Sequence, residues 1–480
     1  MKQIFNPFLP SYEYIPDGEP HVFGDRVYLF GSHDRAHGTA FCQNDYVCWS
    51  APAGDLKSWR YEGVIYKKEQ DPLNPRGEHT LFAPDVCRGS DGRYYLFYAL
   101  DFLSVISVAV CDTPAGRYKF YGHVHFKDGH LLSSRAGEPY AFDPAVYAEG
   151  GRAYLYIGYC PYPPRHLMQV PKSYTHAWVY ELEPDMLTLK GGGTPIAPSF
   201  SNSAGTGFEG HEFFEASSMR KAEGRYYFIW SSYYGHELCY ATSSSPAGPF
   251  TFGGTIISNG DIGMNDITDE NDCNGYIGNN HGSIEKIGGK WYVFYHRHTN
   301  GTSFSRQACA ERIEILPDGR IPQVEMTSCG LNGGPLFARG VYPAYIACNL
   351  RSAAGTKRGD IPHCGEHPYF YQDGEDGEEE AGLHIANLKD GANCTFKYFS
   401  AEGACAAEGV PHKITVTVRG DARGKLIISD GKNTLASVDI APSEGLRAFS
   451  AEFACPCGTF ALKFTFRGSG ALDFFGFGLE

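Results

Sequence analysis

A chain of 480 residues with 55 acidic against 41 basic side chains, net charge −14 at pH 7, exceeds the usual single domain and is too acidic to grip a phosphate backbone. Its 14% aromatic content and 58 glycines fit aromatic strands joined by tight turns, so an all-β protein with a neutral ligand such as a sugar is expected. The 15 cysteines are odd in number and scattered, which reads as reduced thiols rather than a disulfide framework; Cys455 and Cys457 lack the second pair a zinc site needs.

Taken in chain order, MKQIFNPFLPSYEY at the N-terminus has no apolar core of signal-peptide length, and no later stretch reaches membrane-spanning length. A cytoplasmic protein with neither membrane nor nucleic-acid partners is the expectation. A short phrase then recurs five times: GDRVYLF at Gly24, DGRYYLF at Asp91, GGRAYLY at Gly150, EGRYYFI at Glu223 and GGKWYVF at Gly288. The aligned tyrosines are Tyr28, Tyr95, Tyr154, Tyr227 and Tyr292. Ten to twelve residues before each stands an ionisable side chain: Asp17, Asp85, Asp143, Glu215 and His281.

A second repeat keeps the same register. CWSAPAGDLKSW, AVCDTPAGRYKF and ATSSSPAGPFTF share a Pro-Ala-Gly turn and a closing aromatic, which the backbone chemistry of Pro and Gly makes a tight connection between strands. Repeats of this length, each read as four short strands, close into a five-bladed β-propeller over residues 1–325, with the five ionisable positions meeting near its axis. All five tryptophans fall in this part and read mostly as packing between blades.

Residues 326–480 read as a linker and a β-sandwich. The stretch from Gly340 to Glu380 is expected to be irregular, and its acidic run QDGEDGEEE (372–380) reads as a solvated loop rather than a calcium loop, since no spaced ligand pattern is present. From KITVTVRG at Lys413 onward, apolar and polar residues alternate between turns as in a sandwich.

Asp17, Asp143 and Glu215 together suit glycosidic bond cleavage, which needs an acid for the leaving oxygen and a carboxylate acting on the anomeric carbon directly or through water. A third carboxylate raises the acid's pKa by like-charge repulsion, so no cofactor is required for the chemistry. IPDGEPHVFGDRVYLFGSHD, AFDPAVYAEGGRAYLYIG, FFEASSMRKAEGRYYFIWSS and NNHGSIEKIGGKWYVFYHRH resemble the blade-opening motifs of glycoside hydrolase family 43. That resemblance implies a five-bladed propeller that cleaves arabinofuranosides and β-xylosides with inversion. It assigns Asp17 as general base, Asp143 as pKa modulator and Glu215 as general acid. Many members carry Asp-Pro-Ser at the base where this chain has Asp17-Gly18-Glu19-Pro20, so Glu19 is a rival to Asp17, which keeps the better spacing to Tyr28.

Asp85 has two readings, a sugar-hydroxyl ligand or a residue that orders a strand end. His281 resembles the family histidine near the axis, associated with a structural calcium or other ion held through water; the alternative is an ordinary hydrogen-bonded histidine. His33, Asp34 and Arg297 follow blade strands and are read as substrate-binding. The C-terminal part resembles a family 6-like carbohydrate-binding sandwich. It has no tryptophan, so either Tyr369, Tyr371 or Tyr398 stacks on sugar or the domain is structural or a lid. The expected activity is an inverting exo-glycosidase on oligosaccharides ending in arabinofuranose or xylose, first an α-L-arabinofuranosidase, with β-D-xylosidase or galactofuranosidase as neighbours. A non-catalytic sugar-binding propeller is the reading from another class.

Overall fold

The computed structural model describes residues 2–164, 170–356, 365–401 and 412–480. Each Tyr-centred phrase forms the second strand of a sheet: Arg26–Phe30, Tyr94–Ala99, Arg152–Ile157, Arg225–Ser232 and Lys290–Thr299. A glycine before each of them (Gly24, Gly92, Gly151, Gly224, Gly289) takes positive φ, the left-handed turn conformation that a Cβ disfavours, and so folds the first strand back as a hairpin. The first strands, Glu19–Phe23, Asp85–Arg88, Ala145–Glu149, Phe213–Ala222 and Ser283–Ile287, touch one another in ring order, the fifth returning to the first. Five sheets around a common axis make a closed five-bladed propeller.

Alternation along the second strands builds the cores, because successive side chains point to opposite neighbours. Val27 and Leu29 pack with Phe294 of the fifth blade, while Phe30 packs with Leu96 and Tyr98 of the second. Three further buried clusters join blades two to three, three to four and four to five. Every tryptophan belongs to one of these seams or packs against it. The blades are not identical. The third recruits the short strands His125–Phe126 and Thr188–Leu189, and the fifth has three strands. Along the outer strand of that fifth blade, Thr302–Ile313, lies the N-terminal segment, where Phe8 N–H donates to Ala308 O (3.3 Å) and Asn6 both donates to Ala310 O (2.9 Å) and accepts from Ala310 N–H (3.0 Å).

The second body is a sandwich of two six-stranded sheets around a phenylalanine-rich core that includes Phe396, Phe464, Phe474 and Phe477. The segment expected to be irregular contributes to both sheets through Gly340–Pro343, Asn349–Arg351 and Tyr369–Tyr371. These strands are three or four residues long, too short to show a period in the sequence.

Candidate active site

Register decides which residues share a level along the axis. Glu19 pairs with Phe30, Ala145 with Tyr156, Ser218 with Ile229 and Ser283 with Phe294, in each case two residues beyond the aligned tyrosine. Asp85 pairs with Phe97 and so stands at this same level. The expectation of five equivalent ionisable positions is thereby corrected: Asp85 lies one step below Asp17, Asp143, Glu215 and His281, and two residues before it blade two has Ala83. Its carboxylate is fully buried and accepts from His21 Nε2 (2.6 Å) and from the N–H groups of Val86 and Val146 (both 2.7 Å). Burial pushes that carboxyl up, but His21 and Arg220 outweigh it and hold the group below the ordinary carboxylate range.

The upper level opens into a cavity of about 580 Å³ lined by Asp17, Asp143, Glu215 and His281. Asp17 and Asp143 both adopt positive φ (57° and 42°), tolerated by Asp more readily than by most residues, and this lifts their carboxylates off the regular strand path. Glu215 sits between two register shifts in Phe213–Ala222, with Ala216 at φ 69°; the bulge turns its side chain to the cavity. Gly282 permits the closest approach, since a Cβ there would stand 1.8 Å from Phe294 O. It bridges Gly18, setting Asp17 beside His281.

One guanidinium organises these acids. Arg306 donates from Nη1 to Asp17 Oδ1 (2.9 Å) and to Asn279 Oδ1 (3.3 Å), and from Nε and Nη2 to the two oxygens of Asp34 (2.7 and 3.0 Å). It is the only Arg or Lys among the described residues of the cavity lining. His281 Nδ1 lies 3.9 Å from Asp17 and 3.7 Å from Asp143, and burial pulls its pKa down to about 4, so at neutral pH it adds no charge. Burial likewise holds His296 neutral; its Nε2 meets Asn279 Oδ1 at 2.8 Å. Burial, then the charges of Glu215 and Asp17, push the Asp143 carboxyl well above the ordinary range. Asp143 therefore keeps its proton to higher pH than an ordinary carboxyl does.

Of the residues read as substrate-binding, none lines this cavity. His33 donates from Nδ1 to Asp45 O (2.8 Å), and Asp34 lies fully buried behind Arg306. Arg297 points toward the second domain, where Nη1 donates to Ala347 O (3.0 Å) and the guanidinium covers the Phe370 ring at 3.9 Å. Glu19 is also absent from the lining; its Oε2 accepts from Arg220 Nη2 (2.8 Å) and Ser218 Oγ (3.2 Å) at the lower level. Sequence reasoning missed Arg306, His296 and an aromatic wall that includes Phe41, Tyr140, Phe142, Tyr159 and Phe214. Arg306 lies inside an outer strand, SFSRQACAER, where no motif marks it.

Calcium takes six to eight oxygen ligands. His281 Nε2 is buried and has no hydrogen-bond partner among the described residues, so these residues fit an ion only through water at that nitrogen. They form no direct cage on the lower level, where Arg220 Nη2 already lies 2.8 Å from Glu19 and 3.5 Å from His21.

The model for glycosyl hydrolases family 43 matches residues 6–321. A xylosidase/arabinosidase of Thermoclostridium stercorarium is 53% identical over 475 residues, spanning 98% of this chain and 97% of its own. Among solved structures, a family 43 β-xylosidase/α-arabinofuranosidase from a compost microbial metagenome, in complex with xylotriose in a calcium-free form, matches with a TM-score of 0.51. It is 27% identical and covers 66% of this chain and 97% of its own. An arabinoxylan arabinofuranohydrolase from Bacillus subtilis in complex with cellotetraose matches at TM-score 0.52 and 20% identity over 99% of this chain and 97% of its own, a likeness of fold across both bodies.

Proposed function

This chain belongs to glycosyl hydrolases family 43, and from that premise we propose that it is an exo-acting, inverting glycosidase releasing terminal α-L-arabinofuranose or β-D-xylose from oligosaccharides. The observation that carries this reading is the convergence of Asp17, Asp143 and Glu215, from three different blades, in one aromatic-walled cavity with a single guanidinium. The two sugars present similar oxygens to one pocket, and a relative 53% identical over nearly the whole of both chains carries both activities in its name.

In this mechanism Glu215 gives its proton to the glycosidic oxygen as the bond to the anomeric carbon breaks. A water attacks that carbon from the opposite face and passes its proton to Asp17. Arg306 ties down Asp17 Oδ1 and leaves Oδ2 for the water. Asp143, buried in the same cavity with its carboxyl held well above the ordinary range, keeps a proton beside the leaving oxygen's acid. Solvent exchange then returns the proton from Asp17 to Glu215. A calcium held through water at His281 Nε2 would add positive charge beneath the acids; no step depends on it. The absence of tryptophan from the sandwich supports a structural role for that domain over sugar stacking.

Anomeric proton NMR during the first turnovers of 4-nitrophenyl β-xyloside and α-arabinofuranoside tests the reading. Inverted sugar from both is expected; a retained product, or turnover of neither, refutes it.

A further inference from the structure

The acidic run at 372–380 has no place in the mechanism, yet it is not simply solvated. Gln372 accepts at Oε1 from Tyr14 Oη (2.7 Å), and its N–H donates to Asn300 Oδ1 (2.9 Å), which seats the loop on the propeller. Four residues on, Asp376 reaches the connection between the second and third strands of blade one, residues 31–45, which contains no strand of its own. Its Oδ1 accepts from Ala36 N–H (2.7 Å) and its Oδ2 from Asn44 Nδ2 (3.1 Å), while Arg35 Nε lies 3.6 Å away.

That connection delivers the group which holds Arg306. The same Asn44 Nδ2 also donates to Asp34 O (2.9 Å), so one amide joins the Asp376 carboxylate to the Asp34 backbone. Asp34 then takes both Nε and Nη2 of Arg306, whose Nη1 reaches Asp17. From the same connection Phe41 lies under the Arg306 guanidinium at 4.8 Å.

We propose that Asp376, a residue of the second domain, is a positioning residue for the propeller's catalytic base, acting through Asn44 and Asp34 on Arg306. The inference rests on the reading of Asp17 as that base. Docking of the two bodies does not require Asp376: Lys397 pairs with Asp261 (2.9 Å) and Glu325 (2.8 Å), and Arg297 donates to Ala347, all elsewhere on the interface. Tyr14 O accepts from Asp34 N–H (2.9 Å) and Ser305 Oγ from Gly38 N–H (3.3 Å); to these propeller anchors Asp376 adds the acceptor from the second domain for a strandless connection that must place a carboxylate within hydrogen-bonding distance of a guanidinium. Small displacements of such supports are costly to catalysis.

The test uses the full chain with Asp376→Ala and Asn44→Ala, assayed on 2,4-dinitrophenyl β-xyloside and on xylobiose. Each variant is expected to lose about tenfold in kcat by the same factor on both substrates, the signature of an impaired base, with KM changed less. The double variant should be no worse than the weaker single one, and Glu380→Ala, a neighbour outside the network, should match the parent. If Asp376→Ala does not fold, Asp376→Asn retains an acceptor for Ala36 but turns an amide toward Asn44, and carries the same expectation. Asp376 variants with parental kcat, lowered only in thermal stability, overturn the proposal provided that Asp17→Ala is inactive. Parental rates in Asp17→Ala would instead overturn the assignment of the base on which it rests.

Discussion

Replacing Arg306 by Lys keeps a positive charge in the cavity and removes the fork that spans two carboxylates. Arg306 meets Asp34 through Nε and Nη2 and Asp17 through Nη1. A single ammonium on a narrower stem serves one of these acids. It stays with Asp34, which is fully buried and offers two oxygens, and the contact to Asp17 is lost. A charge-assisted hydrogen bond is worth about 1.5–3 kcal/mol, and loss of that amount in the transition state lowers kcat roughly 10- to 150-fold. Steady-state kinetics on 4-nitrophenyl β-xyloside, with thermal unfolding alongside, measures this. Arg297→Lys is the matched control, since Arg297 faces the second domain; its kcat should stay within about twofold of the parent. A kcat for Arg306→Lys within threefold of the parent, or a greater loss in Arg297→Lys, would refute the reasoning.

Leaving-group dependence separates acid from base: Glu215→Ala should slow xylobiose far more than a dinitrophenyl xyloside, Asp17→Ala should slow both alike, and Glu19→Gln should chiefly lower thermal stability by removing one of the two carboxylates, with Glu285, that pair with buried Arg220. Asp143→Asn removes a negative charge from the proton-holding cluster, so the alkaline limb of kcat/KM should move to lower pH; an unmoved limb with reduced rate would leave Asp143 only a steric role. His281 titrates near 4 in the fold against about 6.5 when unfolded, so its burial stabilises the protein above pH 6.5. That contribution, on the order of 3 kcal/mol, is lost as pH falls from 6.5 toward 4, because the unfolded chain takes up the proton first. Urea unfolding at pH 7 and pH 5 should show the loss in the parent and a smaller one in His281→Asn; equal losses would contradict it.

The propeller was legible because its signal is redundant: five Tyr-centred hairpins and three Pro-Ala-Gly turns repeat one register. The meeting of Asp17, Asp143 and Glu215 was legible for the same reason. Counting failed at Asp85, where one extra residue in the hairpin turn of blade two, between Arg88 and Tyr94, conceals a step of a whole level; only the pairing with Phe97 reveals it. It failed again at arginine. Arg297 and Arg306 lie on neighbouring strands of one blade, and which of them faces the cavity depends on how those strands turn in a sheet rather than on any local pattern. The acidic run is the solvated loop expected of it at Asp373, Glu375 and Glu378 to Glu380, all exposed; Asp376 is the exception, because composition reports charge and not partners, and it is bonded to residues more than three hundred positions away.

The N-terminal segment laid along the last strand of blade five has a consequence for how the enzyme comes into being. Asn6 reaches Ala310 and Glu311 in that strand and Thr327 and Ser328 in the linker, so the two ends of the propeller sequence are sewn together at one seam. During synthesis the segment is made before all five blades and has nothing to close against until residue 313 and the linker have emerged. The pair at the centre of the cavity, Asp17 and Arg306, comes from the same two ends. Ring closure and assembly of the charged site are therefore one event, and a chain cut short in blade five would leave open strand edges and an unpaired Asp17.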